Sequence, residues 1–90
     1  MSTDSERQAV IDDMKRLLRD TLQIGPRSHQ LTEQSPLLGH IPELDSMAVV
    51  AVLTAIEERF GFVIDDSEIS ADTFATLGSL TDFVLLKIAA

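Results

Sequence analysis

Apolar side chains recur at three- and four-residue steps through Val10, Ile11, Met14, Leu17, Leu18 and Leu22, while Asp12, Asp13, Lys15, Arg16, Arg19 and Asp20 fill the positions between them. That spacing gathers the apolar residues on one side of a 3.6-residue turn and predicts an amphipathic first helix. Two signals mark its start, Thr3 with Glu6 and Ser5 with Gln8, each a hydroxyl able to cap a free amide with a reciprocal partner three residues on. Gly25-Pro26 closes it.

The periodicity then fails. From Gln23 to Leu44 the chain is broken by Gly25, Pro26, Ser35, Pro36, Gly39 and Pro42, too often for a long helix. A structureless loop of about 20 residues is unusual in a small domain and needs a function or anchors. Leu31, Leu37, Leu38, Ile41 and Leu44 are the expected anchors.

A second helix is expected from Asp45-Ser46 to Phe60, with Val49, Val50, Leu53, Ile56 and Phe60 as its core stripe and Gly61 in the left-handed terminating conformation. Adjacent β-branched residues do not overturn this, because propensity is a weak prior against even spacing and two good caps. Phe62-Val63-Ile64 reads as a buried connection and Ser67 to Ala71 as a short helical turn. Leu77, Leu80, Phe83, Val84 and Ile88 predict a last helix, capped by Thr76 or by Ser79 with Asp82. The expected fold is all-α, a small bundle of three main helices plus one short helix, with a long loop between helices one and two. No internal repeat or low-complexity segment interrupts it, and residues 1–90 read as a single domain.

Composition narrows what such a bundle can do. Ninety residues bury only about 60% of the unfolded surface or slightly more, which leaves little room for an enclosed active site. With 44% hydrophobic residues the chain reads as globular despite its net charge of -8. That charge disfavours nucleic acid as a partner, since phosphate backbones are bound through clustered Lys and Arg. Residues 1–27 hold five acidic and five basic residues, so the whole imbalance lies in residues 28–90, with ten acidic and two basic. The absence of cysteine excludes disulfides, thiolate nucleophiles and Cys-type zinc sites, and fits a reducing compartment. The longest relevant uncharged stretch, Ser46 to Ile56, is far shorter than the roughly 18 apolar residues of a membrane span. The first residues lack the basic start and apolar run of a secretory signal, so the expectation is a cytoplasmic monomer.

Several chemistries fail on the residues present. His29 and His40 lie in the loop without regularly spaced partners, and read as exposed. The run from Asp65 to Asp72 resembles a calcium loop only in acidity. A start at Asp65 puts Ile69 at the fifth position, and a start at Asp66 puts Leu77 where a bidentate Glu is required. Ser46 is in no G-x-S-x-G elbow and follows no strand, so a serine hydrolase is excluded in favour of a non-enzyme. What remains is Asp45-Ser46 at the mouth of helix two. Asp and Ser are ordinary helix caps. The same geometry also exposes a hydroxyl beside free amides and the positive end of the helix dipole, which suits attachment of a charged prosthetic arm.

Leu38-Gly39, Asp45-Ser46-Met47, Ile56-Glu57-Glu58-Arg59-Phe60-Gly61, Ile64-Asp65-Asp66, Phe74-Ala75-Thr76-Leu77-Gly78-Ser79-Leu80 and Phe83-Val84 together resemble the acyl carrier protein family over about residues 6–88. The resemblance implies a helical bundle in which Ser46, flanked by Asp45, receives 4'-phosphopantetheine from coenzyme A through a separate phosphopantetheinyl transferase. The arm's thiol then carries acyl groups as thioesters, so the sulfur missing from the chain is imported. The partners implied are that transferase and the acyl-loading and acyl-processing enzymes, and the benefit of the tether is a raised effective concentration of bound intermediate.

Two features depart from the family pattern. Five residues, His40-Ile41-Pro42-Glu43-Leu44, separate Leu38-Gly39 from Asp45-Ser46 where the family usually has one, so the approach to Ser46 is reshaped. Family members of fatty-acid synthesis scatter acidic residues along the first turns of helix two, whereas Ser46 to Ile56 carries no charge. Met47, Ala48, Ala51 and Thr54 would line an apolar docking side, with Glu58 among the flanking charges that attract basic partners; the alternative is a helix buried on more than one side. These departures favour a dedicated lipid or polyketide-type pathway. An aminoacyl or peptidyl carrier is the nearest rival, and an interaction module in which Ser46 only caps is the rival from another class.

Overall fold

The computed structural model describes the backbone of residues 3–89 and side chains from Ser5 onward, so the predicted capping hydroxyl of Thr3 lies outside the described side chains. Three α-helices run Thr3–Leu22 (α1), Ser46–Phe60 (α2) and Leu77–Ala89 (α3), with 3-10 helices at Gly25–Gln30, Asp66–Glu68 and Ala71–Phe74 in the connections. Among the described residues β pairing amounts to one isolated bridge between Pro36 and Thr76.

The first helix follows its pattern. Val10, Ile11, Met14, Leu17, Leu18 and Leu22 are all buried and face Val52 and Ile56 of α2 and Leu77, Leu80 and Val84 of α3. Burying each such side chain fully contributes about 1.5–3 kcal/mol against leaving it in water, so this shared seam is the main cohesive element. The Ser5 start is corrected, because Ser5 already lies inside α1 and Gln8 instead donates to Asp12 at 3.1 Å, one turn on. Arg7 ties three segments together, donating to Glu33 in the loop at 2.6 Å and to Asp82 on α3 at 2.6 Å.

The long connection between α1 and α2 is neither structureless nor loose. It folds first into the 3-10 helix at Gly25–Gln30, where Pro26 sets the first turn, and then drops Leu37 and Leu44 into the core with Leu31 and Ile41 packed at its edge. Leu38 departs from the expected anchors and stays exposed, because it opens the turn Leu38–His40 that leads away from the buried Leu37. The amides of Leu37 and Leu38 donate to the carbonyls of Ala75 and Phe74 at 3.1 and 3.0 Å. In return the Leu77 and Gly78 amides donate to Ser35 and Glu33 carbonyls at 3.0 and 2.9 Å. The loop thus caps α3 with its own backbone. Gly78 permits the approach, because a Cβ there would lie 2.9 Å from the Glu33 carbonyl oxygen.

Other expectations are sharpened. Thr76, not Ser79, caps α3: Thr76 Oγ1 accepts from the Ser79 amide and Ser79 Oγ accepts from the Thr76 amide, both at 3.0 Å, while Asp82 is engaged with Arg7. Ile88, expected on the core side of the last helix, is more than a third exposed, one turn beyond the buried Val84. Phe62-Val63-Ile64 is buried only in alternation, with Val63 79% exposed between two half-buried neighbours, as an extended stretch requires. The single turn expected near Ser67 is two 3-10 turns. Asp65 and Glu68 cap the first reciprocally, and Glu68 also holds Lys87 of α3 at 2.8 Å. Gly61 adopts φ 78° and ends α2.

An open helix terminus as the candidate functional site

The first turn of α2 holds the candidate site. Asp45 lies just outside the helix with extended backbone, and its Oδ1 accepts from the Ala48 amide at 2.8 Å while its carbonyl accepts from Val49 at 2.9 Å. Two amides remain. Those of Ser46 and Met47 have no acceptor among the described residues, and the Ser46 hydroxyl has no hydrogen-bond partner there either. Both residues are exposed. A phosphodiester on Ser46 would therefore meet free amide donors and the positive end of a 15-residue helix with no protein group to displace.

What leads into the site is firmly held. Leu44 is buried, its amide bonded to the Ile41 carbonyl at 2.9 Å, and the Ile41 amide donates to Leu37 at 3.0 Å. Glu43 pairs with Arg27 of the first 3-10 helix. That hydrogen bond, aided by a backbone amide, holds the Glu43 carboxyl below the usual carboxylate range. The five-residue extension before Asp45 is thus a packed turn.

Met47, Ala51, Thr54 and Glu58 recur at spacings of four, three and four, and all are exposed, with Met47 at 80%. They form one stripe along the outer side of α2. Glu58 stands twelve positions from Ser46, about 18 Å along the helix at 1.5 Å per residue, next to Arg59 and its partner Asp13. Ala48 is half-buried against the core, and so leaves the exposed set. Val50, expected in the core stripe, is 62% exposed and joins Met47, while Val52 takes the core position at 0%. Three valines within four positions hide this choice. The register is settled by Ile56, which is buried and one turn beyond Val52. The free amides were implied by the helix start alone, but nothing in the chain marks the loop carbonyls that close the start of α3.

No group of three or more His, Cys, Asp or Glu side chains converges on a possible metal position among the described residues. None of their helices is long and apolar enough to cross a membrane.

Comparison with known proteins bears on the same site. Residues 12–84 match the family described as "Phosphopantetheine attachment site". The chain is 30% identical to the acyl carrier protein of Wolinella succinogenes over 76 residues, 84% of this chain and 93% of that one. It is 28% identical to the acyl carrier protein of Coprothermobacter proteolyticus over 64 residues, 71% of this chain and 74% of that one. Among solved structures it resembles the solution NMR structure of the holo acyl carrier protein from Nitrosomonas europaea, with 56% identity, a TM-score of 0.83 and coverage of 89% and 96% of the two chains. The chain belongs to the acyl carrier protein family, and it acts as a carrier through covalently attached phosphopantetheine, not as a catalyst.

Proposed function

We propose that Ser46 is the residue that bears 4'-phosphopantetheine, with Asp45 holding the helix start in place, and that the loaded protein serves a dedicated lipid or polyketide-type pathway. The observation that supports this most is the unoccupied donor set of the α2 N-terminus: an exposed hydroxyl free of partners, beside two amides free of acceptors. The charge on an attached phosphodiester is stabilised by such a terminus, by about 0.3–1 kcal/mol where the site is exposed. Incubation with coenzyme A and a broad-specificity transferase should add one phosphopantetheine mass to the wild-type chain and none to Ser46→Ala. A folded wild-type protein left unmodified by several such transferases contradicts the reading.

The pathway assignment rests on the docking side. Met47, Val50, Ala51 and Thr54 give the surface beside Ser46 no charge, while Glu57, Glu58 and the Asp65 to Glu68 run lie at the other end of α2 and beyond. Long-range attraction of a basic partner by the acidic flank, followed by apolar contact at Met47 and Val50, fits this division. The transferase and the acyl-loading and acyl-processing enzymes are the partners proposed for it. The thioester cargo on protein isolated from its native cell decides the pathway; an aminoacyl cargo would transfer the chain to peptide-type synthesis. The same reading has residues 1–90 act as one domain and one copy in the cytoplasm, in keeping with a chain free of cysteine. A scattering mass of two chains would overturn the single copy.

A further inference from the structure

The extended turn before Asp45 does more than shape the approach to α2. Together with the 3-10 helix at Gly25–Gln30 it encloses a cavity of about 270 Å³ whose wall includes Ile24, Leu31, Ile41 and Pro42, with Arg27 and His40 among its polar lining groups. Two of the apolar members and His40 belong to the five extra residues. Pro42 stands four residues before Ser46, so chain length alone limits the separation of their Cα atoms to about 14 Å.

The larger groove of about 480 Å³ between α1 and α2 offers a different chemistry. Five of its eight lining residues, Asp13, Arg16, Asp20, Glu58 and Arg59, are charged, and its α2 members, from Ala55 to Arg59, stand nine to thirteen residues from Ser46, about 14–20 Å along the helix. Closeness and apolar walls both favour the smaller cavity.

We propose that the cavity between the 3-10 helix and the His40–Pro42 turn is a docking site for the pantetheine portion of the arm on Ser46, an inference that rests on the Ser46 assignment. The arm's branched methyl groups match the apolar wall formed by Ile24, Leu31, Ile41 and Pro42. Its amide carbonyls are acceptors for Arg27 and His40 of the lining. The arm then rests on the loop side of α2, leaving the Met47 and Val50 side clear for an enzyme.

The chain has no cysteine, so the arm's thiol is the one thiol of the holo protein and takes a nitroxide label uniquely. Mass spectrometry of the holo protein first establishes whether Ser46 is loaded, independently of where the arm lies. Relaxation enhancement of backbone amides is then read on the labelled holo protein, alongside apo-to-holo chemical-shift changes without the label. The expected result is enhancement at Leu31, His40 and Ile41 several-fold above that at Ala55 and Arg59, with shift changes at the same loop residues. Gln30→Trp, an exposed position in the cavity lining, should fill the space and abolish that excess while leaving the holo mass and the helical fold unchanged. Enhancement centred on Ala55 to Arg59, or an even weak pattern with no loop excess, overturns the docking site while Ser46 stands. Failure to load the wild-type chain overturns both.

Discussion

The starts of α2 and α3 are built from the same parts and finished in opposite ways. At α3 every amide of the first turn is satisfied by protein: Leu77 by Ser35, Gly78 by Glu33, Ser79 by the Thr76 hydroxyl and Leu80 by the Thr76 carbonyl. At α2 only the third and fourth amides are satisfied, both by Asp45, and the first two face solvent. Helix ends leave four amides without intrahelical partners, and a fold must close them or leave them to something outside. Here one end is closed by the Glu33 and Ser35 carbonyls of a loop pinned to the core, and the other is left open where the chain carries an exposed serine. The closed end makes the open one useful, because the bundle's stability does not depend on what occupies it.

The most severe way to break this contrast is to release the loop that closes α3. Leu37→Ala removes a fully buried side chain between the loop and the core, and should cost about 2–5 kcal/mol in urea unfolding. Gly78→Ala places a methyl group 2.9 Å from the Glu33 carbonyl, so the loop must back away; the expected cost is about 1–3 kcal/mol, with faster hydrogen exchange at Leu77 and Gly78. A loss below about 0.5 kcal/mol for either would show that the loop merely lies on the helix.

The two caps offer a paired test. Thr76→Ala strands the Ser79 amide at a half-buried end and should cost about 2 kcal/mol, whereas Asp45→Ala frees the one amide of Ala48 at an exposed end and should cost about 0.5–1 kcal/mol. Equal costs would erase the distinction between the ends.

Acid should act on the connections before it acts on the core. Hydrogen bonds from Lys87 and then from the Asp65 amide hold the Glu68 carboxyl below its ordinary value, as Arg27 does for Glu43. A carboxyl lowered in the folded state contributes its stability above the ordinary carboxylate range and loses it as pH falls through the lowered folded value. The wild-type thermal midpoint should therefore fall as the solution is acidified through that range. The fall should be shallower in Glu68→Gln, and an identical pH profile in that variant would remove the pair from the account.

The smallest effect on stability is expected at the docking side. Met47→Glu sits at an exposed position in the first turn of α2, where a negative charge is tolerated by the dipole, so its unfolding free energy should stay within about 0.5 kcal/mol of wild type. Its rate of loading by the transferase should nevertheless drop, because the uncharged surface beside Ser46 is lost. A large loss of stability would instead make Met47 part of the core.

Much of this was legible in the chain. The α1 seam, the Asp45 cap, Gly61 and the buried Leu37 and Leu44 all follow from spacing and turn chemistry, because each is a local rule or a strong apolar signal. The Val50–Val52 exchange escaped because three valines in four positions fit two registers, and only packing against α1 and α3 chooses between them. The closure of α3 escaped for a deeper reason. Carbonyls of Glu33 and Ser35 do that work, and a backbone carbonyl looks the same in every residue. Of the Asp45-Ser46 pair, Asp45 alone caps and the Ser46 hydroxyl stays free; the matched segments around it supplied its expected role.

The central claim is that the open terminus carries the arm on Ser46. Tryptic cleavage after Arg27 and Arg59 releases residues 28–59, a peptide that holds Ser28, Ser35 and Ser46 together, so total mass cannot distinguish them. Fragmentation of that peptide from protein loaded in its native cell is the most direct measurement. The account predicts a single phosphopantetheine on fragments that contain Ser46 and on none that end before it. An adduct confined to fragments with Ser28 or Ser35, or its survival in Ser46→Ala, would contradict the account.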